Sequence, residues 1–233
     1  MDFRRATILI GHYGSGKTSL AVNLALRLRA AGKAVTVADL DIVNPYFRTT
    51  DHRAALEEKG VRLIGSRFAN SNLDLPSLPG ALYAAVEDEE AYVVLDVGGD
   101  DRGAVALARF APELVARGDY EALFVVNFYR PLTRTPEEAL AVLREVEAAS
   151  GLPCTGLVNN SNLGKLTAAR DVVFTDARVR ELSALCGLPV AFTAADRRLR
   201  GELEGLSGEL FPLDLLQFEP YHKDGRRNGE ADV

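Results

Sequence analysis

The chain has 233 residues, enough for one large α/β domain, and its 47% hydrophobic and 26% charged fractions belong to an ordinary globular protein, not a disordered or fibrous one. A formal net charge of -6 argues against a broad electrostatic footprint for nucleic acid, and Cys154 and Cys186 lack the paired spacing of a zinc or iron–sulfur site within one subunit. No apolar run approaches the roughly 20 residues of a membrane span, and Met1 leads into too few apolar residues for a signal sequence, so a cytoplasmic protein is expected.

Short β-branched runs alternate with helical segments, the pattern of βα units stacked on a mainly parallel sheet. The first strand, residues 7–10, runs into Gly11-His12-Tyr13-Gly14-Ser15-Gly16-Lys17-Thr18, which matches the phosphate-binding pattern G-x-x-x-x-G-K-[ST]. Its glycines let the backbone curl until successive N–H groups face one anion, Lys17 reaches β- and γ-phosphate oxygens, and Thr18 offers a hydroxyl to Mg²⁺. The whole loop, with Ser19 one residue further on, is expected to hold a nucleotide. A helix over residues 17–31 follows, with Leu20, Leu24 and Leu28 on one stripe and Gly32 as its stop. Its N-terminal dipole faces the same anion.

The strand at residues 35–38 ends in Asp39-Leu40-Asp41, and the strand at 92–95 ends in Asp96-Val97-Gly98-Gly99-Asp100-Asp101. Between them lie a strand at 61–64 and an irregular loop over 66–80. An Asp that ends an apolar strand beside such a loop holds Mg²⁺ directly or through water, so Asp96 is the expected metal carboxylate. Gly99 brings a backbone N–H to the γ-phosphate with no side chain in the way, which makes this loop a sensor of the triphosphate. Asp41 is assigned to orient or deprotonate the attacking water and, with Thr18 and Asp96, to the metal. Asp39 either serves the metal shell or caps its loop, and Asp100 and Asp101 either serve the site or simply end the strand.

In the second half, strands are expected at 123–126, 155–158 and 190–192. One helix opens at Pro136 and closes at Gly151, and another spans 175–186 before Gly187. Guanine-specific switches need an Asn/Thr-Lys-x-Asp element, which this sequence lacks. At the corresponding strand end stands Asn159-Asn160-Ser161-Asn162, whose amides both give and accept hydrogen bonds as adenine requires, unless the segment is merely an Asn-rich turn. One domain over 1–220 is expected, followed by a flexible polar tail over 221–233.

These residues resemble the deviant Walker P-loop ATPases, the class that includes the MinD/ParA ATPases, the arsenical-pump ATPases and the nitrogenase iron protein, over most of the chain. The resemblance implies a three-layer P-loop NTPase fold with about seven strands. Asp39-Leu40-Asp41 takes the switch I position, and Asp96-Val97-Gly98-Gly99-Asp100 resembles the iron protein's D-x-x-G-D switch II. Gly156-Leu157-Val158-Asn159-Asn160-Ser161 is similar to its adenine-contacting G-L-I-C-N-S, which implies that Asn160 contacts adenine. Phe192-Thr193-Ala194-Ala195-Asp196 would close the other side of the base pocket. The chain as a whole looks most like the ATP-binding group described as CobQ/CobB/MinD/ParA-like, to which Asp41-Ile42-Val43-Asn44-Pro45-Tyr46-Phe47-Arg48 is particular. There Tyr46, Phe47 and Arg48 either meet a partner or second substrate or pack.

Two departures limit the resemblance. His12 stands where the family's signature lysine reaches a partner's phosphate, so activation in trans is not carried over, and His12 either hydrogen-bonds a phosphate or is an exposed loop residue. The cysteine pairs that hold an intersubunit cluster are missing, which removes electron transfer. The expected function is Mg²⁺-dependent binding of ATP and its slow hydrolysis to ADP and phosphate. Hydrolysis would reshape loops 40–50 and 97–103 to control a protein partner, with a homodimer implied by resemblance. An ATP-dependent small-molecule kinase or ligase is the alternative, and a nucleotide-sensing scaffold without hydrolysis is a third reading.

Overall fold

The structure is a computed structural model that describes residues 1–40, 49–65, 77–99 and 101–215, with the side chains of residues 51, 77–79, 101 and 102 outside that description. Eight strands form one sheet in the order β3-β2-β4-β1-β5-β6-β7-β8: β1 Ala6–Ile10, β2 Ala34–Asp39, β3 Arg62–Ile64, β4 Ala91–Asp96, β5 Tyr120–Val126, β6 Gly156–Asn159, β7 Val190–Asp196 and β8 Glu209–Leu213. Every neighbouring pair is parallel. Seven α-helices accompany them among the described residues: α1 Lys17–Ala30, α2 Arg53–Glu58, α3 Ser77–Glu87, α4 Asp101–Ala108, α5 Ala111–Arg117, α6 Pro136–Ser150 and α7 Ala169–Cys186.

Alternation along the central strands explains the three layers. Ile8 and Ile10 of β1, Val93 and Leu95 of β4, and Ala122, Phe124 and Val126 of β5 join one core with α3 to α6. Leu9, Val94, Leu123 and Val125 point the other way, into a second core with Leu20, Leu24 and Leu28 of α1. A strand apolar on both faces is stable only with helices over both, which is why these runs are uninterruptedly apolar.

The eighth strand was not expected, because Glu209-Leu-Phe-Pro-Leu carries Pro212 and proline cannot donate to a ladder. At the sheet edge, where β8 lies, that loss costs little. The expected irregular loop over 66–80 is also corrected: Ser77 opens α3, since Pro79 in a first turn forfeits no hydrogen bond. Residues 66–76 and the assigned tail at 221–233 lie outside the described residues. Helix α7 starts at Ala169, six residues before the expected 175, where the Asp171 carboxylate accepts from Ala168 N at 2.8 Å and closes the first turn. Helix α6 matches its expected limits, with Thr135 capping Glu138 N and Gly151 turning left-handed at its end.

The chain order reverses around β1, which has β4 on one side and β5 on the other. Ligands of open α/β sheets bind at the carboxyl ends of strands beside such a reversal. The loops after β1, β4, β5 and β6 meet there.

Candidate nucleotide site

Gly16 is the N-cap of α1 at φ 89, and a methyl group on it would run into the Asn160 side-chain nitrogen. Glycine alone meets both demands, a left-handed backbone and an unoccupied Cβ direction. Lys17 therefore begins the helix, and its buried side chain folds back so that Nζ donates to Gly11 O at 2.9 Å and His12 O at 3.1 Å. The ammonium stands inside the loop, where a phosphate oxygen would meet it. Ser19 continues the helix, its carbonyl accepting from Asn23 Nδ2 at 2.8 Å.

Asp96 lies at the end of β4 with only 1% of its surface exposed. Its Oδ2 accepts two hydroxyls, Thr18 at 2.8 Å from the phosphate-binding loop and Thr49 at 2.7 Å from the segment after β2. A buried carboxylate joined to the loop threonine suits Mg²⁺, which takes one or two carboxylates, keeps several waters and relies on phosphate oxygens for the rest. Among the described residues no group of three or more His, Cys, Asp or Glu is placed to hold a metal, and a site of that kind needs none.

The parallel register sets Asp39 of β2 beside Asp96 of β4. Asp39 Oδ2 accepts Thr50 N at 3.1 Å. Asp41 and the segment Asn44-Pro45-Tyr46-Phe47-Arg48 lie outside the described residues, as do Asp100 and the Asp101 side chain.

Gly99 sits against the loop itself. A Cβ there would be 2.5 Å from Tyr13 N and 2.7 Å from Tyr13 Cα, so only glycine lets the loop after β4 approach the phosphate cradle this closely. Tyr13 projects into solvent, and the half-buried His12 ring turns Nδ1 toward Tyr13 O at 3.1 Å. On the opposite side Asn160 donates from Nδ2 to Ser15 O at 2.7 Å, while its Oδ1 and the Ser15 hydroxyl are buried without partners. Asn160 thus braces the loop and retains an unused acceptor. Asn159 and Asn162 shape their own turn, Asn159 Oδ1 accepting Ser161 N at 3.2 Å and Asn162 Oδ1 accepting Gly164 N at 3.1 Å. Asp196, at the end of β7, holds Arg198 at 2.7 Å, and Arg198 in turn reaches the carbonyls of Lys165 and Thr167.

The loop glycines, Lys17, Thr18, Asp96, Gly99 and Asn160 therefore share one end of the sheet. Two residues near them escaped sequence reasoning. Thr49 directly follows residues 41–48, and a hydroxyl at that place was the available signal. Arg130, in the loop after β5, donates from Nε to Gly14 O at 3.1 Å and carries no motif.

Fold and loop together define a P-loop NTPase fold. No protein-family model matches the chain, and no curated protein does. Among solved structures it is similar to the cell division protein FtsY of Thermotoga maritima, at 17% identity and a TM-score of 0.60 over 82% of this chain and 61% of that one. It is also similar to the signal recognition particle receptor FtsY of Elizabethkingia anophelis in complex with GDP, at 17% identity and a TM-score of 0.58 over 93% and 61%. The 54 kDa signal recognition particle protein of Aeropyrum pernix, also with GDP, matches at 16% identity and a TM-score of 0.56 over 82% and 41%. The chain thus spans less than two thirds of each of these proteins, and at such identity the likeness is one of fold. No helix among the described residues is long and apolar enough to cross a membrane.

Proposed function

We propose that the chain is a Mg²⁺-dependent ATP-binding protein with slow ATPase activity, a nucleotide-controlled switch that acts on a protein partner. The observation that carries this reading is the meeting of three segments on one oxygen: Thr18 of the loop, Thr49 after switch I and the strand-ending carboxylate all join at Asp96 Oδ2. Lys17 and the loop amides of residues 11–18 neutralise phosphate charge, Thr18 and Asp96 hold Mg²⁺, and Asp41 orients water. Mg²⁺ supplies a fixed positive charge on the terminal phosphates. Thr18 and Asp96 would hold the ion, and Thr49, bonded to the same carboxylate, would tie its own segment to that site. Gly99, packed on Tyr13, is displaced or engaged by the γ-phosphate in the same way. The effect on rate comes from positioning and electrostatics, since phosphoryl transfer asks little covalent chemistry of a protein.

Support for adenine comes from the loop after β6. Leu163 stands three residues after Asn160, where a guanine-reading element carries its carboxylate, and Leu163 is exposed. GDP in the two neighbours is a property of those proteins, 16% and 17% identical to this one. The test is displacement of a fluorescent adenine nucleotide by ATP and by GTP, in Mg²⁺, with wild-type chain and Lys17→Ala. ATP should compete at least about tenfold better than GTP, a difference of about 1.4 kcal/mol, and Lys17→Ala should not bind the probe. Equal competition removes Asn160 as the selector, and unchanged binding by Lys17→Ala refutes the assigned loop.

A further inference from the structure

The turn after β5 belongs to no motif, yet it is closely built. Asn127, almost fully buried, accepts Arg130 N at 3.0 Å and the Thr133 hydroxyl at 2.8 Å on its carbonyl. Its side-chain Oδ1 accepts Tyr129 N at 3.0 Å and Asn162 N at 3.3 Å. Tyr129 then ties the turn to α7 by donating its hydroxyl to Asp171 O at 3.3 Å. Within this frame Leu132 takes φ 65, a left-handed backbone that a residue with a Cβ rarely adopts, and its side chain is 60% exposed, so packing does not compensate. Strain held by a surrounding network clusters at ligand clamps.

What the turn presents is Arg130. Its Nε is bonded to Gly14 O, and the Nε, Cδ and Cζ atoms lie 3.4 to 3.7 Å from where a Gly14 Cβ would stand. The amino groups Nη1 and Nη2 hydrogen-bond nothing among the described residues. The next carbonyl of the loop, Ser15 O, is held by Asn160 Nδ2. Two consecutive loop carbonyls are thus taken by side chains from two neighbouring strand ends, β5 and β6. Arg130 thus bonds the loop on the carbonyl next to the one that Asn160 holds.

We propose that Arg130 is a nucleotide-binding residue that walls the base and ribose end of the site, in cis, its planar guanidinium covering the purine ring. The proposal rests on the adenine-nucleotide function above. A guanidinium is weakly hydrated and stacks on π faces while keeping its in-plane hydrogen bonds, so Arg130 holds Gly14 with one edge and offers the ligand a face.

The experiment is a titration of the full chain with ATP, ADP and inorganic triphosphate, in wild type, Arg130→Ala and Arg130→Gln. Both variants should lose roughly three- to thirty-fold in affinity for ATP and ADP alike, with triphosphate affinity and melting temperature unchanged. Gln keeps a donor for the Gly14 carbonyl, so wild-type affinity in Arg130→Gln would mean that Arg130 only braces the loop and would overturn the proposal. An equal loss for triphosphate would overturn it too, by moving the contact to the phosphates. No binding of any ligand by the wild-type chain overturns the proposed function and this assignment with it, whereas wild-type binding matched by Arg130→Ala overturns this assignment alone.

Discussion

Replacing Asp96 by Asn separates stability from metal binding. The carboxylate is 1% exposed and accepts two hydroxyls at 2.7 and 2.8 Å. Asn keeps the shape and one acceptor oxygen, so each bond falls from the charge-assisted range of about 1.5–3 kcal/mol to the neutral range of about 0.5–1.5 kcal/mol. The loss over both is roughly 2–3 kcal/mol. Against it stands release from burying an ionised carboxylate, an effective penalty of several kcal/mol. The two nearly cancel, so Asp96→Asn should melt within about 5 °C of wild type or above it, at roughly 2–4 °C per kcal/mol for a chain of this size. Asp96→Ala removes the acceptor altogether and leaves the buried Thr49 hydroxyl unpaired, at about 1–3 kcal/mol. The functional effect is of another kind. Wild type should bind ATP more tightly with Mg²⁺ than with a chelator, and in Asp96→Asn that increment should disappear. Calorimetric titration of ATP in Mg²⁺ and in chelator, beside thermal melts of the three proteins, measures both. A full Mg²⁺ increment in Asp96→Asn would refute the metal assignment, and a melting point lowered by more than about 10 °C would show the carboxylate to be chiefly structural.

Two further outcomes are expected away from the site. Burial raises the Glu121 carboxyl above its ordinary range, only partly offset by hydrogen bonds from the Thr7 hydroxyl at 2.8 Å and Arg4 N at 2.9 Å. A raised folded-state value gives stability that is complete below the unfolded value, about pH 4, and is lost as pH rises through the folded one. Glu121→Gln should therefore match wild type near pH 4 and melt higher at neutral pH, and a variant that loses stability between those two conditions contradicts the argument. Cys154 is buried and free, and burial, with the Glu147 carboxylate beside it, pushes its thiol well above the ordinary range, whereas Cys186 is half-buried. Iodoacetamide should label Cys186 in the native chain and Cys154 only in urea. Equal native labelling would show that the core around Leu152 and Cys154 opens easily.

The parts of the site legible in the sequence are those whose signals are local. Gly11 to Thr18 announces itself by spacing, and the left-handed backbone of Gly14 and Gly16 is a local demand, although the Cβ space at Gly11 and Gly16 is taken by Val125 and Asn160 from remote strand ends. Asp96 and Asn160 were found because each follows an apolar run, and a strand end is a place in the fold that can be counted off without knowing the strand order. What escaped depends on that order. Arg130 meets Gly14 across 116 positions and Thr49 meets Asp96 across 47, contacts that exist only because β5 flanks β1 and β2 flanks β4. The Asn160 contact to Ser15 spans 145 positions and was likewise not expected, since the resemblance marked Asn160 for adenine and not for the loop. β8 and the short α2 and α5 were lost for a different reason. Their residues give weak signals alone, Pro212 even an opposing one, and the elements form because a covered sheet offers them an apolar surface. The same division holds for Leu132. Its left-handed backbone is contrary to local preference, so only a network that spans β5, β6 and α7 holds it, and that conflict between local and tertiary demands is what singles out the turn carrying Arg130.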